Sequence, residues 1–343
     1  MLFSTQVRLL REKFNNNEIN IMIRLVILSL FSLILSSCGI SQDVKVLKLA
    51  HGLDAKHPVH LSMVHFAERL EDYSDGEMRV RIYPSGQLGS ERELIELIQI
   101  GSIDLTKVSA SSLEPFIPKM KIFSTPYLFH SSDHLWSVLN GSIGEELLKA
   151  GEPYRIRGLG YYDAGSRSFY TTKRAVSSPE HLQGMKIRVM NSPSAVAMVK
   201  AMGGAPTPIS WGELYTSLQQ GVVDGAENNL PSFYLSKHYE VAKYLILDEH
   251  TSIPDVVITG TKTWDLLNDQ QRQWVDKAMD DSVAFERNLW EKVSQESLAE
   301  VKKSGVTVVE ADKSQFLESV KPIHEQIKSS DLGELYNKIR EVH

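Results

Sequence analysis

The chain has 343 residues, 42% of them hydrophobic and 23% charged, with a formal net charge of −6. These values describe an ordinary soluble globular protein of roughly two domains, at about 150 residues each. No basic tract is dense enough for a nucleic-acid surface, so no nucleic-acid partner is expected.

The N-terminus reads as a targeting segment. Arg8, Arg11, Lys13 and Arg24 precede the apolar run "LVILSLFSLILSSCG". Leu25 to Leu35 falls short of the roughly 20 residues a bilayer span needs and suits a signal-peptide core. Met22 reads as the true start, with residues 1–21 an extension, and residues 1–37 as the signal peptide. The run ends in Leu35-Ser36-Ser37-Cys38, which resembles the bacterial lipobox, whose cysteine is lipidated and becomes the first residue. Cys38 is the only cysteine, so no disulfide or thiol chemistry is expected. The expectation is an exported acidic protein, held at a membrane surface by lipidated Cys38 and a tether over residues 38–43. No later segment is apolar for long enough to span a bilayer.

After the tether, "VKVLKLAHG" alternates as a strand, and "HPVHLSMVHFAERLEDYSDG" has helical spacing closed by Gly76. "MRVRIYPSG" is a second strand with a turn. This strand–helix–strand order predicts parallel pairing with a crossover. An internal echo follows: "SERELIELIQIGSID" from Ser90 and "SWGELYTSLQQGVVD" from Ser210 match at an offset of 120 residues. Each opens as a Ser-x-x-Glu capping box, and Gly101 or Gly221 ends the helix. Two such units predict two lobes built alike.

The second lobe begins near "YYDAGSRSFYTTKRAV" and runs through the strand "MKIRV", a helix over Ala195–Met202, and "VVDGAENN". The chain returns to the first lobe around "TSIPDVVITGTKTWDLL". From Asn268 to Gly305 it reads as one helix of over thirty residues, long enough to lie across both lobes. "VTVVEAD" is a late strand and "SQFLESVKPIHEQI" a late helix. The predicted boundaries are 44–164 with 254–294 for lobe I, and 165–253 with 295–343 for lobe II. Such lobes, joined by several crossings, form a hinge architecture.

No Gly-rich phosphate loop, no G-x-S-x-G elbow and no metal-spaced cluster occurs, so neither a cofactor nor a metal is expected and no catalytic residue is assigned. His57, His60 and His65 lack a completing carboxylate and read as solvated histidines at a helix start. In "GMKIRVMNSP", Met185, Ile187 and Val189 share one strand face, and Lys186, Arg188 and Met190 share the other. A buried Arg188 needs an anionic partner, and no acid lies nearby in sequence. Arg167, among small and aromatic residues, is its companion. The pair either brackets a ligand carboxylate or makes structural pairs with Asp224 or Glu227. Glu227, Asn228 and Asn229 fall at the carboxyl end of a sheet, where open α/β sheets bind ligands. The asparagines suit either hydrogen bonds to a ligand or a turn.

The ordered set "YPSGQLGSEREL", "GSIDLT", "PYLF", "LQGMKIRV", "GGAPTPISWGELYTSLQQGVVDGAEN" and "HYEVAKY" closely resembles the solute-binding proteins of TRAP (tripartite ATP-independent periplasmic) transporters of the DctP type. The likeness runs from about Val44 to the C-terminal helices. It implies a periplasmic-binding-protein-like α/β fold, with two lobes, a ligand cleft between them and a long helix spanning both. It further implies that Arg188 forms a salt bridge with the substrate carboxylate, joined by Arg167 and Asn228. Trp211 caps the cleft, and Asn191, just past the strand, is counted with the site. His51, Glu91, Lys107 and Ser109 of the first lobe select the substrate. That set favours a sugar acid such as glucuronate, galacturonate or an aldonate over a C4-dicarboxylate. Members that bind sialic acid tend to carry an acid where Ser109 stands. The expected partners are a carboxylate ligand and the membrane permease subunits, with the protein itself monomeric. A surface-anchored enzyme acting on uronates, with His51 or Lys107 as its base, is the remote alternative.

Overall fold

The computed structural model describes residues 44–342 together with Ile21 and Arg24. The expectations for the signal peptide, the start at Met22 and Cys38 lie outside the described residues. Two sheets organise the rest. Strand β1 (Lys45–Ala50) leads through helix α1 (Pro58–Tyr73) to β2 (Met78–Tyr83), and α2 (Glu91–Ile100) leads to β3 (Leu105–Ser109). After helix α3 (Ser132–Leu139), strand β4 (Ile156–Tyr162) completes the first visit to this sheet. β1 pairs in parallel with β2 and β3, as the crossover pattern predicts.

The chain then builds the second sheet from β5 (Ser166–Thr171), β6 (Lys186–Val189), β7 (Ala205–Pro208), β8 (Gly225–Asn228), β9 (Tyr244–Leu247) and the short β10 (Thr251–Ser252). Helices α4 (Pro193–Ala201), α5 (Leu214–Gln219) and α6 (Leu230–Leu235) connect them. β11 (Asp255–Gly260) returns to the first sheet, whose order is β2-β1-β3-β11-β4. Because β11 enters after this crossing, it runs antiparallel to both β3 and β4. Helix α7 (Asp269–Lys303), strand β12 (Thr307–Glu310), helix α8 (Lys313–Lys328) and helix α9 (Gly333–Glu341) close the chain. The second sheet is ordered β12-β9-β5-β8-β6-β7, with β10 on the flank of β5.

Helix α7 is one uninterrupted helix of 35 residues. Val275, Ala278, Met279 and Trp290 pack beneath the first sheet with Met63, Phe66 and Leu70 of α1, whereas Val301 joins Leu245 and Phe233 of the second lobe. The helix therefore spans both lobes. Residues 295–343 do not all follow the second sheet. β12 pairs with β9, but Tyr336 and Ile339 of α9 pack in one core with Leu135 and Leu139, and His134 donates to the Ile339 carbonyl at 2.9 Å.

The sequence echo is structural. Gly101 and Gly221 both adopt left-handed backbone, at φ 74° and 71°, a conformation that favours glycine at a helix end. Three residues on, Asp104 accepts the backbone N–H of Lys48 at 2.8 Å and returns its own N–H to the Lys48 carbonyl at 3.0 Å. Asp224 does the same with Lys186, at 2.9 and 2.8 Å. In each lobe, then, this aspartate fastens the strand after the repeat to its parallel neighbour. Of the two units, only the first carries the capping box. Ser90 and Glu93 form it, but the second unit opens as a 3-10 turn, Trp211–Glu213, in which the Ser210 side chain makes no cap.

A carboxylate also ties the lobes together. Glu114, buried near the cleft, accepts from Ser192 Oγ at 2.6 Å and Ser194 Oγ at 2.7 Å, and from the Ser194 N–H at 3.3 Å, at the start of α4. The helix N-terminus adds its positive end to these bonds.

The twinned aspartates give a stability prediction. Asp104→Ala and Asp224→Ala each remove a charge-assisted bond to a strand amide, a loss of about 1.5–3 kcal/mol. Both are expected to lower the urea midpoint. An unchanged midpoint in either variant would show that the clasp does not hold its strands.

Candidate functional site

A cavity of about 720 Å3 lies between the lobes, within the roughly 300–1,000 Å3 typical of small-molecule sites. Arg188, Arg167, Asn228, Trp211, Asn191, Glu91, Lys107 and Ser109 all line it. His51 does not.

Arg188 sits on β6 between β7 and β8. Ile187 and Val189 point into the core of the second lobe, which sends the Arg188 side chain to the other face, as the alternation predicts. The residue is 2% exposed. Its Nε donates to the Ile209 carbonyl at 2.8 Å, while Nη1 has no partner. The Trp211 ring lies 5.9 Å from the guanidinium carbon, within cation–π range. Burial lowers the Arg188 pKa, against the pull of Tyr170 and Glu227, yet a guanidinium stays charged near neutrality. Among the described residues, no carboxylate pairs with it.

Arg167 has made the structural pairing instead. It is 4% exposed, and its Nε and Nη2 donate to the Glu227 carboxylate at 2.5 and 2.9 Å. Nη2 also reaches the Glu227 carbonyl at 2.9 Å, and Nη1 reaches Asn228 Oδ1 at 2.7 Å. Burial pushes Glu227 up, but Arg167 and His250 more than offset it and bring its pKa down to about 2. Behind the pair, burial opposes charge on His250, but Asp248, at 2.6 Å, and Glu227 raise its pKa to about 9. Asn228 Oδ1 accepts a second bond from the Asn229 N–H at 2.9 Å. The Asn228 amide is left to present its NH2 group to a ligand.

The first lobe carries a buried cluster of its own. Lys107 Nζ donates to Asp255 at 2.8 Å and lies 3.5 Å from Glu91. Burial opposes the ammonium, but the two carboxylates outweigh it and raise the Lys107 pKa. Glu91 also accepts from Ser112 Oγ at 2.5 Å and the Ser109 N–H at 3.2 Å. Asp255 escaped the sequence reading, although a lone acid opening the apolar strand "DVVITG" was a usable signal.

The two clusters occupy corresponding places. Asp255 precedes Val256, which faces Val108, and Arg167 precedes Ser168, which faces Asn228. Lys107 and Glu227 are separated by the same 120 residues as the sequence echo. Each lobe thus has one ion pair across the same two strands, with its polarity reversed.

The histidines need correction. His57 lines the cavity and is 2% exposed, not solvated. Its Nδ1 accepts the Val59 N–H at 3.3 Å as the cap of α1, which leaves Nε2 to donate to Ser232 Oγ of the second lobe at 3.3 Å. Burial, with Lys107 and its histidine neighbours, keeps it neutral. His51 is fully buried behind the wall, with Nε2 2.9 Å from His60 and Nδ1 accepting the Leu53 N–H at 3.1 Å. Burial, with Lys107 and His60, brings its pKa to about 3. The resemblance implied a place for His51 among the substrate-selecting residues, but it is His57 that lines the cavity.

Comparison with known proteins agrees with this geometry. The profile of the bacterial extracellular solute-binding proteins, family 7 (DctP), matches residues 49–331. An uncharacterised protein, YiiZ, of Salmonella typhimurium is 38% identical over 93% of this chain and 97% of its own. A Bradyrhizobium TRAP solute-binding protein, solved with α/β-D-galacturonate, is 37% identical with a TM-score of 0.85, covering 87% of this chain and all of that one. A Roseobacter denitrificans TRAP solute-binding protein, solved with β-D-glucuronate, is 32% identical with a TM-score of 0.85 and the same coverage. A cavity between two α/β lobes, an unpaired buried arginine in its wall and a match over most of the length lead to one conclusion: the chain belongs to the DctP family of TRAP-transporter solute-binding proteins.

Proposed function

We propose that this protein captures a uronate or a closely related sugar acid outside the cytoplasm and delivers it to the permease of a TRAP transporter. The observation that carries the reading is the buried, unpaired Nη1 of Arg188 in the cavity wall. An isolated buried charge costs several kcal/mol, and a ligand carboxylate supplies the missing partner. Asn228 lines the same cavity. On the opposite wall, Lys107, Glu91 and Ser109 offer donors and acceptors suited to hydroxyl groups. Arg167 acts through Glu227 and Asn228, positioning the asparagine. Uronates bound to similar proteins support this assignment.

The enzyme alternative takes Lys107 or His51 as its base. Lys107 is held protonated by two carboxylates, and His51 lies behind the wall. Both facts favour capture and release over chemistry. The reading includes a monomer anchored through lipidated Cys38.

Arg188→Ala is expected to weaken D-galacturonate binding by about 2–5 kcal/mol, roughly 30-fold to several thousand-fold in dissociation constant. Arg188→Lys recovers only part, since an ammonium cannot supply the planar fork. Titration calorimetry on both variants checks this, and binding of the alanine variant within threefold of wild type removes Arg188 from the site. Saturation with galacturonate should also reduce the radius of gyration in small-angle scattering, because ligand contacts on both walls favour the closed arrangement. An unchanged radius at saturation argues against closure. Finally, Cys38→Ser should release the protein from membranes or block its processing. Recovery of the processed variant in the membrane fraction would refute the lipid anchor.

A further inference from the structure

The cavity walls differ in charge in a way the uronate reading alone does not require. On the second-lobe wall, Arg167 is neutralised by Glu227, so Arg188 is a surplus cation. In the buried cluster of the first-lobe wall, Lys107 is shared by Asp255 and Glu91, so one carboxylate is in surplus there. Side chains of all three first-lobe groups are largely shielded, at 5% exposure for Lys107, 11% for Asp255 and 23% for Glu91. Solvent therefore screens them weakly.

We infer that Asp255 and Glu91 form a charge filter, which makes the site selective for monoanionic polyhydroxy acids and rejects dianions of the same skeleton. This rests on the uronate reading above. A ligand whose carboxylate sits on Arg188 directs its far end at this wall. A hydroxyl there donates to Glu91 and accepts from Lys107, whose ammonium already donates to Asp255 and lies 3.5 Å from Glu91. A second carboxylate at the same place has no hydrogen to donate. It meets a lysine already claimed by two anions, with an anionic surplus beside it. Like charges brought together in an enclosed site are strongly disfavoured. Asp255 is essential to the filter although it was assigned no part in binding: without it, Lys107 and Glu91 would form a neutral pair indifferent to ligand charge.

The test compares D-galacturonate with galactarate, the diacid of the same carbon skeleton, by titration calorimetry at pH 7.5. In the wild type the diacid should bind at least about 30-fold more weakly. Glu91→Gln and Asp255→Asn each remove one negative charge with little change of shape, and each should narrow that ratio about tenfold or more. The ratio within one variant cancels any general loss of stability or affinity, and circular dichroism checks the fold. If galactarate binds the wild type as well as galacturonate does, the filter does not exist. A galacturonate-binding variant that keeps the wild-type ratio within twofold, or still shows no galactarate binding where wild type shows none, also overturns the proposal. Failure of the wild type to bind galacturonate at all would instead refute the uronate reading.

Discussion

The architecture of the site depends on one guanidinium, only 2% exposed in the cavity wall, that no carboxylate among the described residues answers. Arg188 carries a desolvation cost of several kcal/mol, and the fold sustains that cost through packing elsewhere. Ile187 and Val189 anchor the same strand in an apolar core, so the side chain between them has no alternative direction. The neighbouring arginine is prevented from compounding the problem by Glu227, whose carboxylate binds it at two points. The result is a single localised deficit of negative charge. The guanidinium itself is already shielded and held in place by its bond to the Ile209 carbonyl, an arrangement suited to receiving a carboxylate.

How much of this could be read from the chain varied with the physics involved. Period and punctuation carried the elements: the β1–α1–β2 start, the 35-residue helix and the glycine-ended repeat all appear where alternation, helical spacing and glycine placed them. The alternation of "MKIRV" also gave the direction of Arg188. Partners across the sheet were harder. That Arg167 would prefer Glu227 to a ligand depends on β5 lying beside β8, a contact between residues sixty positions apart. Asp255 was missed for the same reason, since it meets Lys107 only when the returning strand inserts next to β3. His51 and His57 both depart from their expected settings, His51 buried behind the wall and His57 buried in it, because burial is decided by packing between distant elements.

The repeat explains why such pairs occur twice. In each lobe, an aspartate three residues after a left-handed glycine fixes the register of the following strand to its parallel neighbour. That register places a charged side chain at the same depth in both, and an antiparallel strand supplies the counter-ion. Reversing the polarity between lobes keeps the backbone solution while giving the two walls different chemical tasks. The wall with Glu227 at this position frees a cation for the ligand, and the wall with Lys107 offers mixed donors and acceptors.

The bonds from Glu114 to Ser192 and Ser194 have a consequence of another kind. They join the lobes without help from any ligand, and bonds of this kind, where closing forms them, place part of the free energy of closing in the protein itself. Observed affinity is the intrinsic affinity of the closed form scaled by the fraction of molecules that adopt it. The strength of this tie therefore scales the affinity for every solute by a common factor, whereas the cavity walls set the differences between solutes. Evolution can adjust the first through two serines and one glutamate while the recognition surface stays as it is, tuning a receptor to scarce or abundant nutrient without changing its diet.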